Sequence, residues 1–290
     1  MALVTLLYHE VRENDTPWPG DSLLRLSVSM RRLREHVSAI AERMEILDLG
    51  DALRHGPGLE RSKNRYITLT FDDGYIGSLR RAQQVLAEVG CTATAFVSAA
   101  HCDSGEPFWW DALGAATDSG AWKEGPPADP LQTLRKLRHL RYREAKAVVA
   151  RQVMPDAWSM CCDHPGSWRE LADLDPRQFS VASHGWWHED FSLLPLPELR
   201  RDLRAASTRL GASRLSVIPA VAYPFGGDGF VTWEQLREVV GLEHCYGMLV
   251  QAGRTRGARP SHPLTLKRFI VNDIEASELL SQLDGLFQGD

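Results

Sequence analysis

The apolar positions of this chain fall into two alternating patterns. Short runs rich in β-branched and aromatic residues are typical of buried strands. Stretches with an apolar residue at every third or fourth position are typical of helices that pack on one face. The predicted strands cover residues 3–8, 66–71, 92–97, 179–183, 218–223, 245–250 and 266–271.

Helical patterns follow several of these strands. Ser29 is a suitable N-cap for an apolar stripe over residues 30–44. A second stripe over residues 79–89 ends at Gly90, a residue type that favours helix ends. Because strands and helices alternate, the pattern predicts a parallel α/β fold. The remaining helices are predicted near residues 197–210 and 232–240.

The stretch from His101 to Asp175 breaks this alternation. It contains a Gly-Pro-Pro turn and a basic, leucine-spaced run over residues 131–154. We interpret residues 101–178 as an inserted, mainly helical cap within a single domain of residues 1–290. The positive charges of this run are flanked by acidic residues, which indicates a solvated helix face and not a patch for anionic polymers.

Composition narrows the class of protein. Hydrophobic residues make up 43% of the 290 positions, which is enough for a substantial core. The net charge of −5 argues against a nucleic-acid-binding protein, which would carry a basic face. We therefore expect no nucleic-acid partner, and the oligomeric state is left open.

The first residues and the cysteines indicate in which cellular compartment the protein is expected. Residues 1–7 lack the basic region of a signal peptide, and no stretch has the roughly 18 apolar residues of a membrane helix. The five cysteines are odd in number and lack the spacing of a disulfide framework. A second metal at Cys161-Cys162-Asp163-His164 is disfavoured, because adjacent thiols chelate one ion poorly. We expect a cytoplasmic protein without a transmembrane segment.

Two carboxylates follow one of the buried strands. Asp72 and Asp73 come directly after residues 66–71, and Gly74 completes a turn signal. Two adjacent carboxylates at a strand end repel each other unless a cation neutralises them. An ordinary surface turn is the alternative explanation for the same three residues.

Two histidines follow another predicted strand. His184 and His188 come after residues 179–183, and their spacing of four brings both rings to one side of a helical turn or tight loop. Each could instead be an unrelated capping or packed histidine. One carboxylate and two imidazoles can hold a zinc-type ion with an open position for water, and the other carboxylate can accept a proton from that water.

The candidate residues share a position in the predicted fold. In barrel-type α/β proteins the chemistry lies at the carboxyl ends of the strands. His9, Asp72, Asp73, His184 and Phe225 all come just after predicted strand ends. The sequence therefore predicts that they meet in one site.

These motifs resemble the polysaccharide deacetylase family (NodB homology, carbohydrate esterase family four). The resemblance rests on Thr-Phe-Asp-Asp-Gly at 70–74, on His-x-x-x-His at 184–188, and on Ala-Tyr-Pro-Phe-Gly at 222–226, which is typical of one branch. Tyr8-His9 and Phe108-Trp109-Trp110-Asp111 agree in order along the chain. The fold that the resemblance implies is a distorted or incomplete (β/α) barrel of about seven strands.

The resemblance also implies roles for individual residues. Asp73, His184 and His188 would bind one divalent metal ion, with zinc preferred by ligand type and cobalt, nickel or manganese as alternatives. Asp72 would be the general base, and the backbone N–H of Phe225 would stabilise the oxyanion. The candidate substrate-binding residues, chosen for stacking on a sugar or for their place in the cap, are Trp109, Trp110, Asp111 and Trp187.

The chain departs from the family pattern at three places. Gly185 replaces a Ser or Thr that braces the loop, and Ser183 is the candidate substitute. Ala222 replaces the arginine that steadies the base, so Asp72 must be oriented in another way. The late Leu-x-His is absent, because His262 comes two residues too early, and we predict His9 as the proton donor instead. A histidine bonded only to the backbone is the alternative for His9.

The resulting hypothesis is a metal-dependent hydrolase that removes an N-acetyl or N-formyl group from an amino sugar. A cytoplasmic location and the cap favour a small or carrier-linked sugar, as in surface-polysaccharide (O-antigen or lipopolysaccharide) or natural-product biosynthesis. Two alternatives remain open. One is a carbohydrate-binding protein with a degenerate centre, and the other is a metal amidase for a non-sugar amide.

Overall fold

The computed structural model describes residues 2–59, 64–161, 163–226, 232–240, 245–251, 255–256 and 263–288. Most of its strands are short apolar segments, as the sequence pattern predicts. The strands are β1 (Ala2–Tyr8), β2 (Glu10–Arg12), β3 (Ser27–Ser29), β4 (Glu45–Ile46), β5 (Arg65–Phe71), β6 (Ala93–Val97), β7 (Phe179–Ser183), β8 (Val217–Ala222), β9 (Tyr246–Val250), β10 (Thr255–Arg256) and β11 (Leu266–Ile270).

Seven of these strands close into a parallel barrel in the order β1–β11–β9–β8–β7–β6–β5. Closure comes from β1 and β5, which pair in parallel along seven residues from Ala2↔Arg65 to Tyr8↔Phe71. The short strands β4 and β10 flank the barrel, and β2 pairs with β3 in a separate two-stranded sheet. The expected α/β barrel of about seven strands is confirmed.

The helices lie around and above this barrel. Ser29 accepts a hydrogen bond from the backbone N–H of Arg32, as expected for an N-cap, and Gly90 ends its helix with a positive φ of 76°. The helices are α1 (Asp21–Leu24), α2 (Met30–Ala41), α3 (Leu49–Leu59), α4 (Ile76–Val89), α5 (Ala99–Ser104), α6 (Trp109–Ser119), α7 (Pro130–Leu137), α8 (Tyr142–Gln152), α9 (Pro155–Ser159), α10 (Trp168–Ala172), α11 (Leu196–Gly211), α12 (Trp233–Val240) and α13 (Ala276–Gln288), with a 3₁₀ turn at Phe191–Leu193.

The main hydrophobic core lies between the barrel and its helices. Apolar side chains of α2, α4 and α13, such as Leu33, Leu79 and Leu283, are at most 1% exposed and pack against the outer faces of the strands. Each such leucine contributes about 1.5 to 3 kcal/mol of burial free energy. This packing holds the strands, and therefore the residues at their carboxyl ends, in fixed positions.

Six helices, α5 to α10, lie between β6 and β7, in the stretch that the sequence analysis assigns to an inserted cap. Four of them, α6 to α9, share a core that includes Phe108, Trp109, Leu113 and Tyr142, whereas α5 and α10 contribute to the main core. Tyr75, which follows β5, packs into the same core and joins this region to the barrel. Within the described ranges, no helix has the length and apolar character needed to cross a membrane.

Candidate active site

The residues that follow the barrel strands converge on one cavity of about 220 Å³. β1, β5 and β7 lead into it, and its floor is polar. Side chains from α6 and α7 form the opposite wall, so the helices between β6 and β7 cover the site. The lining residues that matter here are His9, Asp72, Asp73, Trp109, Trp110, Arg138, His184, His188 and Phe225.

Asp73, His184 and His188 form a compact group of potential metal ligands. One ligand atom from each lies within 4.8 Å of the others, and all three side chains are buried. Oδ1 of Asp73 is 3.6 Å from Nε2 of His184 and 3.2 Å from Nε2 of His188. Ligands about 2.0 to 2.1 Å from a tetrahedral zinc ion lie about 3.3 Å apart, so the spacing suits such an ion.

The orientation of these groups also suits a cation. Nδ1 of His184 donates a hydrogen bond to the carbonyl of Ala222 at 2.8 Å, which leaves the lone pair of Nε2 facing Asp73. Oδ1 of Asp73 is buried without a hydrogen-bond partner in the described structure. Burial raises the pKa of Asp73, and it lowers the pKa of His188 to about 3. A bound cation would remove the cost of the unpartnered oxygen.

Backbone strain concentrates at this site. Among the described residues, five other than glycine have positive φ, and three of them are Asp73 (70°), His188 (54°) and Phe225 (61°). Such conformations cost about 1 to 3 kcal/mol each and persist where the surrounding structure enforces them. The fold therefore holds two of the three potential ligands in geometries that the residues would not adopt by themselves.

Asp72 is held by an arginine that the sequence analysis did not identify. Arg268, in β11, donates two hydrogen bonds to the carboxylate, with Nη1–Oδ1 and Nη2–Oδ2 distances of 2.6 and 2.7 Å. Both side chains are at most 3% exposed. Burial alone would raise the pKa of Asp72, but Arg268 and His184 outweigh it and lower the pKa to about 2. Asp72 is thus an oriented, ionised carboxylate.

His9 follows β1 and lines the same cavity. Burial lowers its pKa, whereas the charges of Asp73 and Asp72 act in the opposite direction. The sequence analysis predicts His9 as the proton donor, and the residue lies in the same cavity as Asp72 and Asp73. His262, the other histidine considered for this role, lies outside the described residues.

The aromatic wall is ordered by hydrogen bonds and ring contacts. Trp110 stacks on Phe108 with a centroid distance of 4.4 Å and contacts the ring of His188 at 4.6 Å. Its indole Nε1 donates to the hydroxyl of Tyr75 at 3.1 Å, and that hydroxyl donates to Asp111 at 2.8 Å. Trp110 therefore presents a fixed apolar face beside the potential metal ligands.

Two of the four candidate substrate-binding residues, Asp111 and Trp187, are not among the residues that line the cavity. Trp109 and Trp110 line the cavity, whereas Asp111 lines a smaller adjacent pocket with Glu10. Trp187 stacks near Tyr142 with a centroid distance of 6.1 Å. Its placement outside the cavity is consistent with a role in packing the cap against the loop that follows β7.

Arg138 also lines the cavity and was not singled out from the sequence. It follows α7, and its guanidinium lies over the ring of Phe225 at 4.7 Å. It belongs to the basic run that we interpreted as a solvated helix face. For this residue that interpretation is incomplete, because the side chain faces the site and burial lowers its pKa.

Comparisons with known proteins agree with this geometry. Residues 60–239 match a family model described as polysaccharide deacetylase. The fold is similar to Streptococcus pyogenes deacetylase PplD in complex with acetate (TM-score 0.67, 15% identity, 97% of this chain and 98% of that chain). It is also similar to IcaB from Ammonifex degensii (0.61, 15%, 97% and 96%) and to a polysaccharide deacetylase from Bacillus cereus (0.63, 17%, 98% and 69%).

At these identities the similarity to solved structures shows the fold alone. A comparison with curated proteins found no match. The family match covers more than half of the chain and includes both motifs, Asp72-Asp73 and His184 to His188.

Proposed function

Because the chain belongs to the polysaccharide deacetylase family, we propose that it is a metal-dependent hydrolase that removes an N-acyl group from an amino sugar. Deacetylation is the activity that family membership supports. The observation that carries the finer proposal is the group formed by Asp73, His184 and His188, with Asp72 beside it on the cavity floor.

The donor set fits a divalent ion, and zinc is the ion that we propose. One carboxylate and two neutral imidazoles form a catalytic zinc set, which leaves a position open for water or substrate. Asp73, His184 and His188 would hold the ion. When bound, it would lower the pKa of a water molecule and polarise the acyl carbonyl.

Asp72 is the proposed general base. It lies next to Asp73 in the chain, and Oδ2 is 3.7 Å from Nε2 of His184, so its carboxylate borders the proposed ligand group. Arg268 fixes both carboxylate oxygens and keeps the group ionised. A base that is held in one orientation can take the proton from water without first losing conformational freedom.

His9 and Phe225 are proposed to complete the reaction. The leaving amine must gain a proton as the C–N bond breaks, and an imidazole at the cavity wall can supply it. The backbone N–H of Phe225 would donate to the oxygen that becomes negative in the transition state. Its strained φ of 61° sets the direction of this peptide group.

The cavity wall supports a sugar substrate. Trp110 and Trp109 offer apolar ring surface, and tryptophan faces suit the apolar side of a pyranose ring. A volume of about 220 Å³ is comparable to that of one acylated sugar unit. We therefore propose a small or carrier-linked amino sugar, as would be processed in surface-glycan or natural-product biosynthesis.

Acyl release from a panel of amino sugars tests the proposal. The purified protein, loaded with zinc, should release acetate or formate from at least one N-acyl amino sugar, and a chelator should abolish the release. Asp72→Asn serves as the inactive control, once circular dichroism shows that it is folded. If the protein binds zinc and a neutral sugar but Asp72→Asn and the wild type are equally inactive, a carbohydrate-binding role replaces hydrolysis.

A further inference from the structure

The loop between the two candidate histidine ligands is held by a carboxylate from outside the loop. Asp202, in α11, accepts a hydrogen bond from the backbone N–H of Trp186 at 2.8 Å and one from that of Trp187 at 3.4 Å. The two bonds go to different oxygens of the carboxylate. Asp202 therefore clamps the 185–186 and 186–187 peptide groups, in the loop between His184 and His188.

Because Gly185 has no side chain, the carboxylate of Asp202 has room beside its backbone. Its φ is +76°, and a Cβ at this position would lie 3.2 Å from Oδ1 of Asp202 and 3.3 Å from Cε1 of Phe191. Both distances are tighter than ordinary van der Waals contact. A larger residue at 185 and the carboxylate at 202 thus compete for one space, in addition to the backbone strain that a side chain would meet.

On its other side the loop is tied to the start of α5, just after β6. The carbonyl of Trp186 accepts hydrogen bonds from the backbone N–H of Ala100 and the hydroxyl of Ser98, both at 2.9 Å. The hydroxyl of Ser183 accepts from the backbone N–H of Gly185 at a longer 3.2 Å. Asp202 is the group that satisfies the N–H groups on the side facing α11.

We propose that Asp202 is a positioning residue that fixes the loop between His184 and His188, and that Gly185 is its steric complement. The inference deepens the proposed function, on which its meaning for catalysis rests. Asp202 is neither a lining residue of the cavity nor one of the potential metal ligands. It acts through peptide groups of the loop that carries His188, whose φ of 54° is already strained.

The first test removes the clamp. Asp202→Ala should weaken zinc binding about 10- to 100-fold, the effect typical of losing a group that orients a metal ligand. The cobalt-loaded variant should also show an altered visible absorption spectrum, because the ligand geometry changes. Leu203→Ala is the matched control, since Leu203 is the next residue of α11, is buried, and has a side chain that cannot hydrogen-bond to the loop. Equal zinc affinity for Asp202→Ala and wild type, or an equal loss in Leu203→Ala, would overturn the inference.

The second test uses the competition for space. Gly185→Ser should weaken zinc binding in the wild type, where the new side chain meets Asp202. In the Asp202→Ala background the same change should cost less, because the carboxylate is gone. Strictly additive effects on zinc affinity would contradict the steric part of the proposal.

A third measurement is independent of the metal. In the metal-free protein, the amide hydrogens of Trp186 and Trp187 should exchange faster in Asp202→Ala than in the wild type or in Leu203→Ala. If the wild type binds no zinc but this difference is present, the proposed function fails and the clamp stands. If zinc binds and the exchange rates are equal, the clamp fails and the proposed function stands.

Discussion

The Arg268–Asp72 pair offers the most demanding test of this active site. Arg268→Met keeps an unbranched side chain but removes both hydrogen bonds, and it leaves Asp72 only 2% exposed without its guanidinium. Arg200→Met is a matched control. Arg200 makes the same two-bond contact with Glu238, at 2.8 and 2.7 Å, but its side chain is 48% exposed.

The magnitude follows from burial. Removing one partner of a buried ion pair costs about 3 to 5 kcal/mol, whereas an exposed pair contributes about 1 kcal/mol or less. The net fall in the pKa of Asp72 from 3.8 to about 2, to which Arg268 and His184 both contribute, corresponds to about 2.5 kcal/mol at about 1.4 kcal/mol per unit. We therefore expect Arg268→Met to lose about 2 to 5 kcal/mol of unfolding free energy, and Arg200→Met about 1 kcal/mol or less.

The effect on activity should be separable from the effect on stability. A catalytic group displaced by about 1 Å loses about 100-fold in rate, so kcat should fall at least that far while the zinc content stays unchanged. Urea unfolding, zinc analysis and kcat for acyl release are measured on the same preparations. A folded Arg268→Met protein with the kcat of Arg200→Met would refute the assignment of Arg268 as the group that orients the base.

Four further predictions concern single residues. Asp72→Asn should retain zinc by elemental analysis and lose about 10² to 10⁴ in kcat, and unchanged turnover would reassign the base. His188→Ala should lose the zinc, which full metal content would contradict. Trp110→Ala should raise KM without unfolding, since Trp110 lines the cavity, whereas a lower melting temperature alone would mark it as core. Burial holds the pKa of His101 well below 6.5. The metal-free protein should therefore lose stability as the pH falls below 6.5, by up to about 1.4 kcal/mol per pH unit. Urea unfolding of His101→Gln should show a smaller loss.

The positions of the barrel strands could be predicted from the sequence because their burial is nearly complete. Strands buried on both faces give continuous apolar runs, and the predicted segment 179–183 coincides with β7 (Phe179–Ser183). Since parallel strands end on the same side of a barrel, residues just past those ends were expected to meet. His9, Asp72 and His184 do line one cavity.

Other elements were harder to predict from the sequence pattern. The paired strands β2 and β3 are only three residues long, which is too short for a period-two pattern to stand out. The last helix, α13, was not predicted, although its buried residues Leu279, Leu280 and Leu283 have helical spacing. The role of Arg138 depends on which way the end of α7 faces, and that is decided by the packing of the cap rather than by local sequence.

The Arg268–Asp72 contact shows that a motif compared along the sequence can miss a residue that reaches the site from another barrel strand. Ala222 ends β8, where the family pattern has an arginine, whereas Arg268 lies in β11. β11 pairs with β1, and β1 pairs with β5, the strand that leads to Asp72. The guanidinium also lies 5.2 Å from the ring of Phe96, so the side chain crosses the barrel interior.

Because every barrel strand directs alternate side chains inward, a positive charge can reach Asp72 from more than one strand. The departure at Ala222 is therefore a change in the strand that supplies the charge and not a loss of that charge. A comparison made position by position along the chain counts it as a defect of the catalytic centre. A comparison that includes the order of strands around the barrel does not, and this removes one of the reasons for considering the centre degenerate.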